Sequence, residues 1–182
     1  MVQGIAIRKE FLILLGLFFS SITFVIKCKK TNFNRELILN QLLKSIFVIY
    51  ICLLIGETLM PIRIPPLDID IKPTVNLNIL NITEYDLKDI YAIINIVGNL
   101  LLLSPLAIIL PMLGYKKFLK LKNVILLSFF TSVLIEALQY IETYLKIVYA
   151  PRASDILDVM LNTLGGIIGF CVYRIYLRFC KK

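Results

Sequence analysis

The chain has 182 residues, of which 59% are hydrophobic and 18% charged, and its mean hydropathy is +0.85. Soluble domains carry about 45–50% apolar and about 25% charged residues, so a water-soluble fold has nowhere to put this surface. The net charge is +8 and histidine is absent, which excludes a Ser-His-Asp triad and every His-based metal site.

A bilayer-spanning helix needs roughly 20 mostly apolar residues, because each helical residue rises about 1.5 Å across a hydrocarbon layer of about 30 Å. Five such stretches follow along the chain, near Phe11 to Ile26, Leu42 to Leu59, Ile90 to Leu113, Val124 to Ile141 and Ile156 to Leu177. The first is the shortest and reaches full length only with its flank from Gly4, which contains Arg8, Lys9 and Glu10. A cleaved signal peptide is the rival reading there. Lys27, Lys29 and Lys30 follow at once with no small-x-small site, so the span is expected to be retained. The fold class predicted is an all-α polytopic transmembrane bundle of about five spans. It divides into residues 1–41, a helix with its basic connection, and 42–182, a four-helix membrane domain.

The distribution of Lys and Arg sets the expected orientation. Lys27, Lys29, Lys30, Arg35 and Lys44 follow the first span, Lys116, Lys117, Lys120 and Lys122 follow the third, and Arg174, Arg178, Lys181 and Lys182 end the chain. Thirteen of the 20 basic residues thus share one side, expected to be cytoplasmic, with the N-terminus outside and the C-terminus inside. The basic charge then gives no separate support for nucleic acid. Cys28, Cys52, Cys171 and Cys180 form no CxxC pair and read as small apolar residues.

Between the second and third spans, the stretch from Pro61 to Asp89 contains Pro61, Pro65, Pro66 and Pro73, alternates polar and apolar residues from Val75 to Ile79, and carries Asp68, Asp70, Glu84, Asp86 and Asp89. An external loop or cap is expected, with room for a short hairpin or interfacial element. Its Asn81-Ile82-Thr83 sequon carries no weight, since three-letter matches are common by chance.

Ionisable groups at membrane depth cost at least about 2.5 kcal/mol each on insertion scales, so each requires a partner, a cavity or a function. On the fourth span, Ser128, Ser132, Glu136, Gln139 and Thr143 fall within about 80° of one another at 100° per residue. On the fifth, Asp155, Asp158, Asn162, Gly165, Gly166 and Gly169 fall within about 100°. Asn95, Gly98 and Asn99 lie together on the third, and Glu57 with Thr58 ends the second. Helix direction alone puts Glu57, Asn95, Glu136, Asp155 and Asp158 at the same membrane level, whichever way the chain is inserted. The expectation is a polar pocket in the outer half, opening toward loop 61–89 and formed by spans two to five. Simpler roles compete. Ser154 or Asp155 can cap the fifth helix with Asp158 against its dipole, Arg152 can clamp Asp155 or Asp158, Gly165 and Gly169 can form a packing seam, with Gly98 and Gly166 as further helix-packing positions, and Ser104-Pro105 can kink the third helix. Glu136 has no cap explanation. The chemistry left open is that of carboxylates: general acid and base, proton or cation sites, or acceptors for hydroxyl and amine groups. No metal or other cofactor is expected.

The segments Asn95-Ile96-Val97-Gly98-Asn99 with Ser104-Pro105 and Pro111, Ile135-Glu136-Ala137-Leu138-Gln139, Arg152-Ala153-Ser154-Asp155-Ile156-Leu157-Asp158 and Asn162-Thr163-Leu164-Gly165-Gly166 with Gly169 occur in order. Together they resemble the VanZ-like membrane protein family, over about residues 45 to 177 if Glu57-Thr58-Leu59-Met60-Pro61 is included. The resemblance implies a small multi-pass protein of the bacterial cell membrane, with motif positions at Asn95, Gly98, Asn99, Glu136, Gln139, Arg152, Asp155, Asp158 and Asn162. It implies a link to low-level resistance to the glycopeptide teicoplanin. Membrane lipids are the expected partners, with a lipid-linked cell-wall precursor or a lipoglycopeptide as ligands. Three functions stay open: an envelope protein with a binding pocket, an intramembrane acid/base enzyme acting on a lipid-linked substrate, and a small proton-coupled transporter.

Overall fold

The computed structural model describes residues 5–30, 35–66, 68, 71–79 and 89–180. Asp70, Glu84, Asp86, Lys88 and the 81–83 sequon lie outside the described residues. The helices are α1 (Lys9–Lys30), α2 (Arg35–Leu59), α3 (Ile90–Leu102), α4 (Ser104–Met112), α5 (Leu121–Tyr144) and α6 (Ile156–Cys180), and the short strands are β1 (Ile5–Ile7), β2 (Ile62–Ile64), β3 (Thr74–Asn76) and β4 (Ala153–Asp155). Five helical stretches are long and apolar enough to cross a bilayer, with α3 and α4 forming one of them. Large apolar side chains such as Phe11, Phe18, Phe130, Leu134 and Val172 are exposed on these helices, as a lipid solvent permits and water does not. The chain is therefore a multi-pass membrane protein.

The contacts divide the chain into two compact units, Met1–Lys72 with Glu142–Pro151, and Pro73–Ile141 with Arg152–Lys182. In the first, α1 and α2 pack antiparallel. The Ser20 hydroxyl donates to the Ser45 carbonyl at 3.3 Å, a Cβ on Gly16 would stand 2.7 Å from the Cys52 sulfur, and one on Gly56 would stand 3.0 Å from the Lys9 Cβ. Lys9 at the start of α1 donates to both carboxylate oxygens of Glu57, at 2.8 and 3.0 Å. That pairing anchors the start of α1, which takes in Lys9 and Glu10 but not Arg8. Ile5–Ile7 form β1, so the span reaches its length at the other end, through Lys30, and not through the expected flank from Gly4. α2 likewise begins at Arg35, earlier than the apolar run at Leu42, and takes in polar Asn40 and Gln41. β1 and β2 pair antiparallel, with Ala6 opposite Arg63. The Arg63 amide donates to the Ile147 carbonyl at 2.7 Å, and its guanidinium lies 5.7 Å from the centre of the Tyr149 ring.

In the second unit α6 is the most buried helix. Gly165 and Gly169, one turn apart, face the carbonyl oxygens of Leu100 and Ser104, and Gly166 faces the Ser128 hydroxyl; a Cβ at any of the three would overlap those atoms. Gly98 differs, since a Cβ there would meet nothing within 4 Å. The third span breaks at Leu103, after which Pro105 sits in the first turn of α4 and the Ser104 hydroxyl donates to the Leu101 carbonyl at 3.1 Å. Pro105 has no amide to continue the ladder. Gly114, at φ +90°, ends the span, with the Tyr115 amide donating to Leu110 and the Gly114 amide to Pro111. Ala107, Val124 and Phe170 form an apolar core between α4, α5 and α6, with Phe118 packed against it.

The loop after α2 forms no hairpin among its described residues. β3 instead pairs in parallel with β4, in the register Thr74 with Ala153, Val75 with Ser154 and Asn76 with Asp155. The alternation from Val75 to Ile79 is thus a real strand signal whose partner stands almost eighty residues away.

Candidate functional site

The site grows from the junction of α5 with β4 and α6. Asp155 ends β4 and caps α6, its Oδ1 accepting from the Leu157 amide at 2.8 Å, which satisfies one of the helix's free N–H groups. Its Oδ2 accepts from the Asn76 side chain at 2.9 Å. Asn76 is itself fixed, because its own oxygen accepts from the Asn78 amide at 3.1 Å. Glu136, buried on α5, is held from two directions: its Oε2 accepts from the Asp155 amide at 3.0 Å, and its backbone carbonyl accepts from the Ser154 hydroxyl at 3.0 Å. Between the two expected caps, Asp155 performs that role and Ser154 ties β4 to α5.

One turn into α6, Asp158 Oδ1 accepts from the Asn99 amide at 2.6 Å. The same Asn99 nitrogen donates to Asn95 Oδ1 at 2.7 Å, so both of its hydrogens are used. This line runs outward from half-buried Asp158 to exposed Asn95. One turn deeper, Asn162 and Ser132 are fully buried and joined by a 2.8 Å bond from the Asn162 amide to the Ser132 hydroxyl. The Asn162 oxygen accepts no hydrogen bond among the described residues. Below this layer, Ser128 is followed by Val124 of the apolar core. The polar stripe therefore has an exposed end and a closed end.

The structure thus brings together Asn95, Asn99, Glu136, Asp155, Asp158 and Asn162. Gln139 is half-buried on the Glu136 face of α5, and Arg152, half-buried, directly precedes β4. Glu57 lies in the first unit, where Lys9 holds it. Asn76 and Ser154 belong to the network, and Asn76 was not among the residues singled out from sequence. Its only signal there is the alternating strand pattern. The polar groups largely satisfy one another, and two cavities of the second unit lie elsewhere. One of about 440 Å³ is lined by apolar residues including Phe129, Ile156, Met160 and Ile167, and one of about 390 Å³ by Pro111, Gly114, Lys116 and Tyr173 among others.

What fold and network define is a multi-pass helical membrane protein in which three carboxylates and four amide side chains meet at one end of a bundle. A model of the VanZ/LLP1 family matches residues 47–177, well over half of the chain, and the protein belongs to that family. No curated protein and no solved structure matches it.

Proposed function

We propose that this VanZ/LLP1 protein acts in the bacterial cell membrane as a binding protein whose polar cluster faces outward. The cluster holds the head of a lipid, a lipid-linked cell-wall precursor or a glycopeptide antibiotic, and so alters the envelope and its susceptibility to teicoplanin-type compounds. The observation carrying this reading is the Asp158–Asn99–Asn95 line, which leads from half-buried Asp158, one turn along α6 from Asp155 and its bond to buried Glu136, to an exposed amide. Carboxylates and amides in this setting accept from the hydroxyl and amine groups that such ligands carry in number. The outward orientation is supported by the thirteen basic residues grouped on the opposite side.

Two features favour binding over the alternatives. Transport needs a path to the other side, whereas the stripe ends on the Ala107–Val124–Phe170 core. Acid/base catalysis needs a carboxylate free to exchange its proton with a substrate, whereas Glu136 and Asp155 already serve backbone amides. The test is expression in a glycopeptide-sensitive bacterium with a panel of glycopeptides. Wild type raises tolerance and Glu136→Ala does not, at equal protein level; equal tolerance for both refutes the proposal. Turnover of a lipid panel by the purified protein would instead establish an enzyme.

A further inference from the structure

The cavity of about 390 Å³ stands at the other end of the second unit from Glu136 and Asp158 and plays no part in the reading above. It is lined by Pro111 of α4, by Gly114, Lys116 and Leu119 of the connection that follows, and by Tyr173 and Leu177 of α6. Pro111, Tyr173 and Leu177 belong to the bilayer-long stretches Ile90–Met112 and Ile156–Phe179, whereas Gly114, Lys116 and Leu119 lie between such stretches. The cavity therefore crosses from hydrocarbon to head-group depth. The connection itself is held in place. Lys116–Leu119 form one turn of 3-10 helix, the Phe118 amide donates to the Tyr115 carbonyl at 3.0 Å, and the Phe118 ring packs against the Ala107–Val124–Phe170 core. The Asn123 side chain donates to the Lys117 carbonyl at 2.6 Å. At three residues per turn Lys116 and Leu119 share a side, the side that faces the cavity.

Lys116, Lys117, Lys120, Lys122, Arg174 and Arg178 are exposed at this end of the unit, and none of the six side chains has an ion-pair partner among the described residues. The sequence places no acid beside them, since neither Asp nor Glu occurs from Ile90 to Ile135 or after Asp158. Basic pockets between helices at the membrane surface take anionic head groups. A bare inorganic anion matches only part of this one. The volume is that of about thirteen waters at about 30 Å³ each, and beyond Lys116 the walls are largely apolar, from Pro111, Leu119, Tyr173 and Leu177. A phospholipid matches both parts, with a phosphate for the ammonium and hydrocarbon for the walls. We infer that this cavity binds an anionic membrane phospholipid, with its phosphate on Lys116 and the first carbons of its acyl chains against Leu119, Tyr173 and Leu177.

The full-length protein, solubilised in detergent with phosphatidylglycerol and phosphatidylcholine in equal amounts, is examined by native mass spectrometry. Phosphatidylglycerol adducts are expected to survive preferentially in wild type. Lys116→Gln lowers that preference about tenfold, by loss of a charge-assisted hydrogen bond, with helix content by circular dichroism unchanged, and Lys116→Arg keeps it. Lys122→Gln removes an equal charge at the same end but outside the cavity. At about 0.2 M salt, where the screening length is about 7 Å, it changes the preference by about twofold or less. Equal retention of the two lipids by wild type, or an undiminished preference in Lys116→Gln, overturns the inference. So does a loss in Lys122→Gln as large as in Lys116→Gln, which would mean diffuse attraction to the basic end without a site. Added inorganic phosphate that displaces every lipid adduct would assign the cavity to the free anion and overturn the lipid assignment.

Discussion

Changing glycine to alanine at two places in the second unit should move stability in opposite directions. At Gly165 the new methyl group would overlap the Leu100 carbonyl oxygen and stand 2.9 Å from its carbon, against the 3.4–4 Å of ordinary contact. The obstacle is backbone, so no side-chain rotation relieves it, and α6 must move away from α3 by at least several tenths of an ångström. Overpacking of this kind costs about 1–3 kcal/mol. The same displacement stretches the 2.6 Å bond between Asn99 and Asp158. At Gly98 a methyl group meets nothing within 4 Å, and alanine there gains about 0.5–1 kcal/mol from the lower conformational entropy it leaves to lose. Unfolding in mixed detergent micelles, followed by circular dichroism, should rank Gly98→Ala above wild type and wild type above Gly165→Ala. Gly169→Ala should fall with Gly165→Ala, since it meets the Ser104 carbonyl in the same way. Gly165→Ala as stable as wild type, or Gly98→Ala as unstable as Gly165→Ala, would refute the close approach of α6 to α3.

Asn76→Asp replaces a donor with a carboxylate 2.9 Å from Asp155 Oδ2, and loss of that bond, at about 1–3 kcal/mol, should speed hydrogen exchange of the β3 and β4 amides about tenfold while α1 and α2 are unaffected. Lys146 adopts φ 58° at the end of α5, where the Ile147 amide donates to Glu142 and the Lys146 amide to Thr143. Glycine takes this conformation without strain, so Lys146→Gly should stabilise by about 1 kcal/mol, read as a higher unfolding midpoint. The Lys9–Glu57 pair is half exposed, at 44% and 53%, so Lys9→Gln should cost no more than about 1 kcal/mol; a larger loss in the same unfolding measurement would mean that the pair is shielded far more than its exposure implies.

The five spans were legible because apolar runs of bilayer length have few other uses, and the polar faces of α5 and α6 because 100° per residue fixes which side chains share a side. That reasoning put Asn95, Glu136, Asp155 and Asp158 at one level and Asn162 on the Asp158 face of its helix, and the bonds across α3, α5 and α6 fall among these residues. What it could not supply was pairing. Glu57 has the same membrane level by helix direction, yet its partner is Lys9, a residue that reads as a flanking charge until α1 and α2 are packed. Asn76 enters through a parallel pairing of β3 with β4, which nothing local specifies. Gly98 and Gly165 are the same residue in similar apolar helices, and only the neighbouring backbone separates a free surface from a seam. Lys146 ends a helix where glycine is the usual signal, so the stop at α5 is set by its hydrogen bonds and not by residue type. The expected open pocket is, in the structure, a network of mutually bonded carboxylates and amides with an exposed rim at Asn95.

Whether that network is the working site is tested most directly by binding. Purified protein in lipid nanodiscs is titrated with a lipoglycopeptide and with a lipid-linked cell-wall precursor, comparing wild type, Asp158→Asn and Gly98→Ala. Saturable binding of at least one ligand by wild type and Gly98→Ala, weakened about tenfold or more in Asp158→Asn by loss of a charge-assisted hydrogen bond, is the predicted result. Equal binding by all three proteins, or none by wild type, would contradict it.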